Sequence, residues 1–356
     1  MMINGKFLPD ELILPGETLK ELLDEMNMTQ SELSKRIAVT PKHINKIIKG
    51  EASITVETAL KLENVFELPA KFWLNLESDY QENLARLNEI KSIEADMEIA
   101  KLIPYAQMAS LEWVPATRKI EEKVLNLREF FRVSSLAQIG SVYDCAFRAK
   151  DSKNKSSFAQ AAWIAQGERV AAGIETEPYD RAKLIECIKK FRVFTKEEPN
   201  VFQPKLVDLC AKCGIALVFI PRLQKTFAHD VTKWISKDRV LVQLSLRGKY
   251  ADIFWFSLFH EFAHVLLHGK RIVHLEEDSK NTKEYEEEAD KYASNVLIPK
   301  SDYESFINTQ LINADAIKEF ADSIDIDEGI VVGRLMHDEL LGFNELVELR
   351  KKYDWE

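Results

Sequence analysis

The chain is poor in cysteine and glycine and has no long apolar run. Its 356 residues include 4 cysteines and 12 glycines, and cysteines that are so few and so irregularly placed are typical of a reducing compartment. The one close pair, Cys210 and Cys213, is a lone C-x-x-C on a predicted helix, which favours partly buried structural thiols over a redox or metal pair. No run reaches the roughly 18–20 apolar residues of a membrane span, and the N-terminus has no apolar signal region. We therefore expect a cytoplasmic protein.

A net positive charge is also absent. The formal net charge is −10, which argues against a general polyanion binder, so any surface for nucleic acid must be local. The composition, with 46% hydrophobic and 30% charged residues, is that of a folded globular protein. A chain of this length is too long for one ordinary core, so we expect two or three domains.

The most informative motif lies in the apolar run 253–267. It is an H-E-x-x-H pattern formed by His260, Glu261 and His264. On a helix, residues four positions apart project from one face, so both imidazoles can hold one zinc ion. Glu261 lies one step round the helix, where a carboxylate can accept a proton from water at the metal. The motif predicts a zinc hydrolase.

A catalytic zinc site also needs a third protein ligand. We place this ligand in the acidic helix predicted over residues 284–293. Glu286 shares the apolar face of Ala293, with which this helix can pack against the motif. Asp290, one turn further, can accept the free N–H of a ligating histidine, and Glu288 is the nearest rival to Glu286 as ligand.

Other residues are weaker candidates for the site. His268 continues the helical face of the motif, but four residues advance a helix by about 6 Å, too far for the same ion, so we interpret it as a helix-end residue. The metzincin pattern, which needs a further glycine and histidine at fixed spacing, does not fit. His274 and His337 are the remaining candidate ligands. For an oxyanion donor the candidates are His229, Tyr285 and His337, and each is explained more simply as a structural residue.

The two segments together resemble the ImmA/IrrE family of metallo-endopeptidases. That family shows H-E-x-x-H, then E-x-x-A-[ND]-x-F-A, then a leucine-rich stretch that ends in proline. Here the second block starts at Glu286 and the third ends at Pro299. Asp290 and Tyr292 stand where asparagine and phenylalanine are commoner, and both departures are mild.

This resemblance covers about residues 204–322. It implies a zincin-like fold, zinc as the cofactor and peptide-bond hydrolysis as the activity. It also implies that His260, His264 and Glu286 are the zinc ligands and that Glu261 is the general base.

The N-terminal segment has the shape of a helix–turn–helix DNA reader. One helix is predicted from Gln30 to Ile37 behind Thr29 as N-cap. A second opens at Thr40, with Pro41 at its first helical position. Ala38, between the two helices, fills a turn position that is often glycine.

The outward face of these two helices is locally basic. Residues 35–50 include five lysines or arginines and no acidic residue, which suits contacts with phosphates. Polar side chains among them can position or read bases. The residues that we expect to contact DNA are Gln30, Lys35, Arg36, Thr40, Lys42, His43, Asn45, Lys46 and Lys49.

Short blocks across residues 14–80 resemble HigA-type antitoxins of the XRE helix–turn–helix family. The resemblance implies operator binding as a two-fold dimer and autorepression of a toxin–antitoxin operon. Phe72 and Trp73 can serve as dimer contacts or can close the domain core, and we favour the core. The blocks are Pro15-Gly16-Glu17, 29–33, 43–45, 54–60 and 72–76.

These features predict a multidomain, mainly α protein. Residues 1–80 form an all-α, lambda-repressor-like helix–turn–helix domain, and residues 81–200 form a helical middle region. Residues 201–356 form an α+β zincin-like metallopeptidase domain with a small sheet. The sheet holds a strand within 214–221 and a hairpin that turns at Lys237, and the pattern after the motif is helical to the last residue.

The predicted function is that of a DNA-binding transcriptional regulator or antitoxin with a zinc-dependent endopeptidase domain. We expect double-stranded operator DNA as one partner, a second copy of the chain as another, and a repressor, a toxin or the chain itself as substrate. The alternative is a non-catalytic antitoxin or transcription factor whose peptidase-like fold binds a ligand or a partner protein.

Overall fold

The computed structural model describes residues 2–3, 6–7, 12–143, 155–226, 230–245, 250–269 and 279–353. The chain divides into two compact units, Met1–Asp96 and Met97–Glu356. Both are mainly helical, and the second contains a small three-stranded sheet, so the predicted fold class is confirmed. Among the described helices, none is both long enough and apolar enough to cross a membrane.

The first unit is a bundle of short helices after a two-stranded antiparallel pair, β1 (Met2–Ile3) and β2 (Lys6–Phe7). Three of the helices begin as the sequence predicts, because a threonine side chain accepts a hydrogen bond from the backbone N–H three residues on. The helices are α1 (Pro15–Glu25), α2 (Gln30–Arg36), α3 (Pro41–Ile48), α4 (Val56–Phe66) and the start of α5 (Ala70–Ala100).

The turn between α2 and α3 has the geometry of a helix–turn–helix. Ala38 has a φ of 52°, the left-handed conformation for which glycine is the usual residue. Apolar side chains on both helices, Leu33 and Ile44 among them, are fully buried in the core of the unit. Trp73 is also fully buried, which confirms the prediction that it closes the domain core. Phe72 is 39% exposed, so the same prediction is wrong for Phe72.

The second unit opens with helices, as predicted for this region. The long helix α5 runs through residue 80 without interruption and ends at Ala100. Both cysteines of the C-x-x-C pair are fully buried, more than the partial burial that was predicted, and burial raises the pKa of the Cys210 thiol. The helices that follow are α6 (Tyr105–Ser110), α7 (Ile120–Phe131), α8 (Ile139–Val142), α9 (Lys155–Ala172), α10 (Arg181–Phe191) and α11 (Pro199–Lys212).

The sheet contains three strands, β3 (Ile215–Phe219), β4 (Asp230–Ser236) and β5 (Arg239–Leu244), in the order β3-β5-β4. β4 and β5 form the predicted hairpin, with Thr232 opposite Val242 and an irregularity near its turn. β3 pairs with β5 in parallel. Because β4 pairs only with β5 among the described strands, it is an edge strand.

The last part of the chain places the H-E-x-x-H motif in the core. Helix α12 (Ala251–Ala263) continues into one π-helical turn, His264–His268. It packs against helix α13 (Ser279–Leu297) and against helix α16 (Glu328–His337). From residue 338 to residue 353 the described chain forms turns and one short 3-10 helix, Val347–Leu349, so the expected continuous helix is wrong there. The remaining helices are α14 (Lys300–Asn308) and α15 (Ala314–Ser323).

Candidate metal centre and DNA-binding surface

Helix α12 is held by a wholly buried aromatic face. Trp255, Phe259 and Phe262 are all fully buried, and the indole N–H of Trp255 donates to the hydroxyl of Tyr353 at 2.8 Å. Burying side chains of this size stabilises the fold by about 2–3 kcal/mol each. The rotation of α12 about its axis is therefore set by packing, and this rotation decides where the polar residues of the motif project.

The polar face of α12 meets α13 at a group of three donor atoms. Nε2 of His260 and Nε2 of His264 lie 2.9 Å apart. The Glu286 carboxylate lies 3.2 Å from Nε2 of His260 and 3.5 Å from Nε2 of His264. We call these three residues the metal trio. Within the described part of the chain, they form a group that could hold a metal ion, with all three ligand atoms within 4.8 Å of one another.

The spacing and chemistry of the metal trio fit zinc. Ligand atoms bound about 2.1 Å from a tetrahedral zinc ion lie roughly 3.4 Å apart, close to the separations observed here. Two imidazoles and one carboxylate also form the donor set of catalytic zinc sites that leave a fourth position open. The three residues present therefore suit a zinc ion with one exchangeable ligand.

Two further contacts are made by the Nδ1 atoms of the histidines, on the side of each ring away from the shared centre. Nδ1 of His260 lies 2.9 Å from the Asp290 carboxylate, in the arrangement expected for the acceptor of a ligand's free N–H. Nδ1 of His264 lies 2.9 Å from Nδ1 of His268, whose Nε2 lies 3.1 Å from the Glu288 carboxylate. Each ring of the trio thus has a partner on the nitrogen that points away from the shared centre.

The His268 contact was missed at the level of sequence. The side chain of His268 is buried, with 1% exposed, and the Tyr285 ring packs against it with centroids 4.3 Å apart. Glu288, the rival ligand, reaches His268 and not the shared centre. The four-residue spacing between His264 and His268 could have predicted this contact. That spacing was considered only for two ligands of one metal ion.

Glu261 lies on the buried side of the trio. It is 6% exposed, and the Thr232 hydroxyl of β4 donates to its carboxylate at 2.5 Å. Burial raises the pKa of Glu261 to about 7, assisted by the negative charge of Asp230 and opposed by the Thr232 hydrogen bond. A carboxyl group with a pKa near neutrality can both accept and donate a proton, which is the property that general acid–base chemistry needs.

The two histidines of the trio differ in their protonation. Burial alone would lower the pKa of His260, but its hydrogen bond with Glu286 and the neighbouring carboxylates raise it to about 9. Burial and the adjacent positive charge of His260 lower the pKa of His264 to about 4. Without a metal ion, His260 is therefore more readily protonated than His264, and a metal ion bound at Nε2 of His260 competes with that proton.

Two of the other candidates from the sequence, His337 and Tyr285, make their described contacts elsewhere. His229 and His274 lie outside the described residues. His337 is exposed, and its Nδ1 lies 3.0 Å from the Asp338 carboxylate. Tyr285 packs its ring on His268.

The candidate DNA surface lies on the exposed face of α3 and the end of α2. Lys42, Asn45, Lys46 and Lys49 are exposed, and their spacing places them on one side of α3, opposite the buried isoleucines. This side of α3 is the part of the unit best suited to enter a groove of DNA.

The other residues predicted to contact DNA differ in exposure and in the contacts that they already make. Lys35 and Arg36 are exposed on α2, but Arg36 is held in an ion pair with Glu32 at 2.6 Å. The Thr40 hydroxyl accepts from the backbone N–H of His43 and so caps α3. The side chains of Gln30 and His43 are half-buried.

Comparisons with known proteins fall on the same two regions. The family model described as helix-turn-helix matches residues 19–73, and the model described as IrrE N-terminal-like domain matches residues 251–322. Virulence-associated protein I of Dichelobacter nodosus is 38% identical over 74 residues, which are 20% of this chain and 68% of the relative. The uncharacterized HTH-type transcriptional regulator YddM of Escherichia coli (strain K12) is 33% identical over 64 residues, 18% of this chain and 68% of the relative.

Solved structures also match part of the chain. An addiction module antidote protein of the HigA family from Coxiella burnetii is 36% identical, covers 24% of this chain and 95% of its own, and has a TM-score of 0.22. The antitoxin HigA of Pseudomonas aeruginosa, solved with the higBA promoter, is 31% identical, covers 24% of this chain and 95% of its own, and has a TM-score of 0.23.

The two family models and the sequence relatives identify both regions. The helix–turn–helix geometry lies inside residues 19–73, and the metal trio lies inside residues 251–322. The chain belongs to the XRE-type helix–turn–helix family of DNA-binding proteins and carries an IrrE-like domain in its C-terminal part.

Proposed function

We propose that the chain is a DNA-binding regulator of the antitoxin type whose second unit is a zinc-dependent endopeptidase. The observation that carries the catalytic half is the buried Glu261, next in sequence to His260 and adjacent to the metal trio. A buried carboxylate whose pKa is raised by burial, beside candidate metal ligands, is the arrangement that general acid–base catalysis uses.

In this proposal His260, His264 and Glu286 hold zinc, which when bound supplies Lewis-acid polarisation of the scissile carbonyl. Glu261 accepts the proton of the attacking water and then delivers it to the nitrogen of the leaving amine. Thr232 orients the carboxylate, because its hydroxyl donates a hydrogen bond to one oxygen of Glu261, and the other oxygen accepts the proton of the water in this proposal. Asp290 and His268 keep the two imidazole rings in place.

A polypeptide is the substrate that suits the surroundings of the site. The strand β4, which carries Thr232, is an edge strand of the sheet. An edge strand presents unpaired backbone groups to which an extended peptide can add as a further strand. A peptide bound there lies beside Glu261, so its backbone is presented to the proposed general base.

In the DNA-binding half, α3 enters the major groove of an operator. Lys42, Lys46 and Lys49 contact phosphates, and Asn45 is placed to contact a base. By resemblance to HigA-type antitoxins, the operator lies upstream of the chain's own gene and is bound by a homodimer. This role places the protein in the cytoplasm, where the DNA is, and gives a repressor, a toxin or the chain itself as substrate.

The substitution Glu261→Gln tests the catalytic half. It keeps the shape of the side chain but removes the base, so we expect cleavage to fall by at least about 100-fold, with zinc content and DNA affinity unchanged. Cleavage is measured as new protein N-termini in cells that express the wild-type or the variant chain. Zinc is measured on purified protein by elemental analysis.

The matched control is Glu287→Gln on α13, since Glu287 is exposed and forms a loose ion pair with Lys283 at 3.7 Å. This variant should produce the same new N-termini as the wild type. If Glu261→Gln leaves both the N-termini and the regulation of the operon intact, the endopeptidase function is wrong. The non-catalytic alternative, in which the fold binds a ligand or a partner protein, would then hold.

A further inference from the structure

A cavity of about 420 Å³ opens beside the metal trio in the second unit. Its walls come from α12, α13 and α16 and from the segment that follows α16. The volume is in the range of pockets that bind organic ligands. The apolar groups that line it include Ile253, Phe256, Leu297, Ile330, Met336 and Phe343.

The cavity is lined by the same two helices, α12 and α13, that carry the trio. Phe256 and Ser257 of the cavity wall precede His260 and Glu261 by four residues, and Ser294 follows Asp290 by four. One such step along a helix is about 6 Å. The rings of Phe256 and His260 lie 6.2 Å apart. The mouth of the cavity is therefore one helical turn from the proposed reacting centre, on the same two helices.

Both arginines in the wall are already paired, and the exposed Glu339 adds a carboxylate to the same wall. Arg350 binds Asp252 at 2.7 Å, and Arg334 binds Asp338 at 2.8 Å. Neither guanidinium is left to hold an anionic ligand. Two apolar side chains of the wall are exposed, Ile253 by 41% and Phe343 by 79%. An apolar wall with its cations neutralised favours an uncharged, apolar occupant.

We propose that the cavity receives an apolar side chain of the polypeptide that is cleaved, which makes it the specificity pocket of the site. This inference rests on the proposed endopeptidase function. An extended peptide advances about 3.3 Å per residue, so the side chain that fills the cavity belongs to a residue within two positions of the scissile bond. Leucine, phenylalanine and similar residues fit it, and acidic residues do not.

The test measures binding apart from catalysis. The full-length Glu261→Gln protein, loaded with zinc, is titrated into fluorescein-labelled seven-residue peptides of alanine and serine. Leucine, phenylalanine or aspartate is placed at each position in turn, and binding is followed by fluorescence polarisation. We expect leucine or phenylalanine at one or two adjacent positions to bind about 10–100-fold more tightly than alanine, the usual range for filling an apolar pocket. Aspartate should bind no more tightly than alanine.

Two variants in the same background locate the effect. Ser294→Trp places a large ring in the cavity and should remove the preference for leucine and phenylalanine. Asn295→Trp, the next residue on α13, is exposed and should keep the preference. Ile253→Asp adds a charge to the exposed wall and should weaken the preference without the steric demand of tryptophan. Zinc content checks that each variant keeps the trio.

The outcomes distinguish an error in the pocket assignment from an error in the proposed endopeptidase function. If the wild-type chain cleaves proteins but apolar peptides bind no better than alanine peptides, the pocket assignment is wrong and the endopeptidase function stands. Equal behaviour of Ser294→Trp and Asn295→Trp would also overturn the assignment. If apolar peptides bind tightly but the wild-type chain creates no new N-termini, the substrate role of the cavity is wrong together with the endopeptidase function.

Discussion

His264 is held between two neighbours that play different parts. Its Nε2 faces His260 and Glu286, whereas its Nδ1 lies against His268. In zinc sites the second ring nitrogen usually contacts a carboxylate, a carbonyl or water, and this contact fixes the orientation of the ring. Here a histidine takes that place and is itself held by Glu288. His268 is thus a positioning residue that acts through His264.

The substitution His268→Ala tests this role. Without its partner the His264 ring is free to turn, so we expect the dissociation constant for zinc to rise by about 10–100-fold. Competition with a chromophoric chelator measures the constant, and a melting curve checks that the variant folds.

His337→Ala is the control, because this histidine is exposed and contacts only Asp338 among the residues described around it. It should bind zinc like the wild type. Equal zinc affinity of a folded His268→Ala protein would contradict the positioning role.

At the scale of residues, helical periodicity was enough to bring the trio together. The four-residue spacings in the two helices place His260, His264, Glu286 and Asp290 on facing sides, and the structure brings them within contact distance. The contact of His268 with His264 follows the same four-residue spacing, although the helix is π-helical there. The contact of Thr232 with Glu261 could not be predicted, because it depends on which strand forms the edge of the sheet.

At the scale of elements, α1 and α3 meet backbone to backbone. A Cβ at Gly16 would lie 2.6 Å from the carbonyl oxygen of Ile48 and closer still to that of Ile47. Only glycine permits this approach, since a methyl group would have to push α3 away from α1. Gly16 therefore helps to set the position of the helix proposed to enter the DNA groove.

The substitution Gly16→Ala should displace α3. We expect a loss of about 1–3 kcal/mol of stability in the first unit, the usual cost of overpacking, and weaker binding to a duplex from upstream of the chain's own gene. Hydrogen exchange of the peptides from α1 and α3 measures the first effect, and fluorescence polarisation measures the second.

Gly140→Ala serves as the control, because a Cβ there meets nothing within 4 Å. It should leave both measurements unchanged. Wild-type DNA affinity and hydrogen exchange in the Gly16→Ala protein would show that α3 does not depend on the close approach.

The elements of the first unit could be predicted because their signals are local. Threonine caps and a proline at the first helical position act within one turn, and the observed helices begin at these residues. The sheet was predicted only in part. A hairpin is encoded by neighbouring residues, so β4 and β5 were found, but the parallel pairing of β3 with β5 joins distant segments. The prediction of a helix after residue 337 was also wrong. The apolar residues there, such as Leu341 and Tyr353, lie in non-helical segments that pack against the core.

At the scale of the whole molecule, the two proposed activities reside in different compact units. The metal trio lies in the unit Met97–Glu356, and the candidate DNA-binding residues lie in the unit Met1–Asp96. Each site is complete within its unit, so each can be perturbed without removing a residue of the other.

Removal of zinc by a strong chelator tests this separation. Because the metal stabilises the folded state to which it binds, we expect faster hydrogen exchange in α12 and α13 after chelation. Exchange in α2 and α3 and affinity for the upstream duplex should stay the same. Readdition of zinc should restore the slow exchange. A fall in DNA affinity on chelation would instead show that metal occupancy controls the operator.

The basic face of α3 also decides how such a protein would search a genome. Attachment to DNA of any sequence grows with the number of phosphates that a protein neutralises, and here a small group of lysines and arginines belongs to a chain of net charge −10. Attachment to arbitrary sequence through so few cations falls steeply as the salt concentration rises. At raised salt such a protein would therefore depend on the base edges that α3 contacts to remain at its operator.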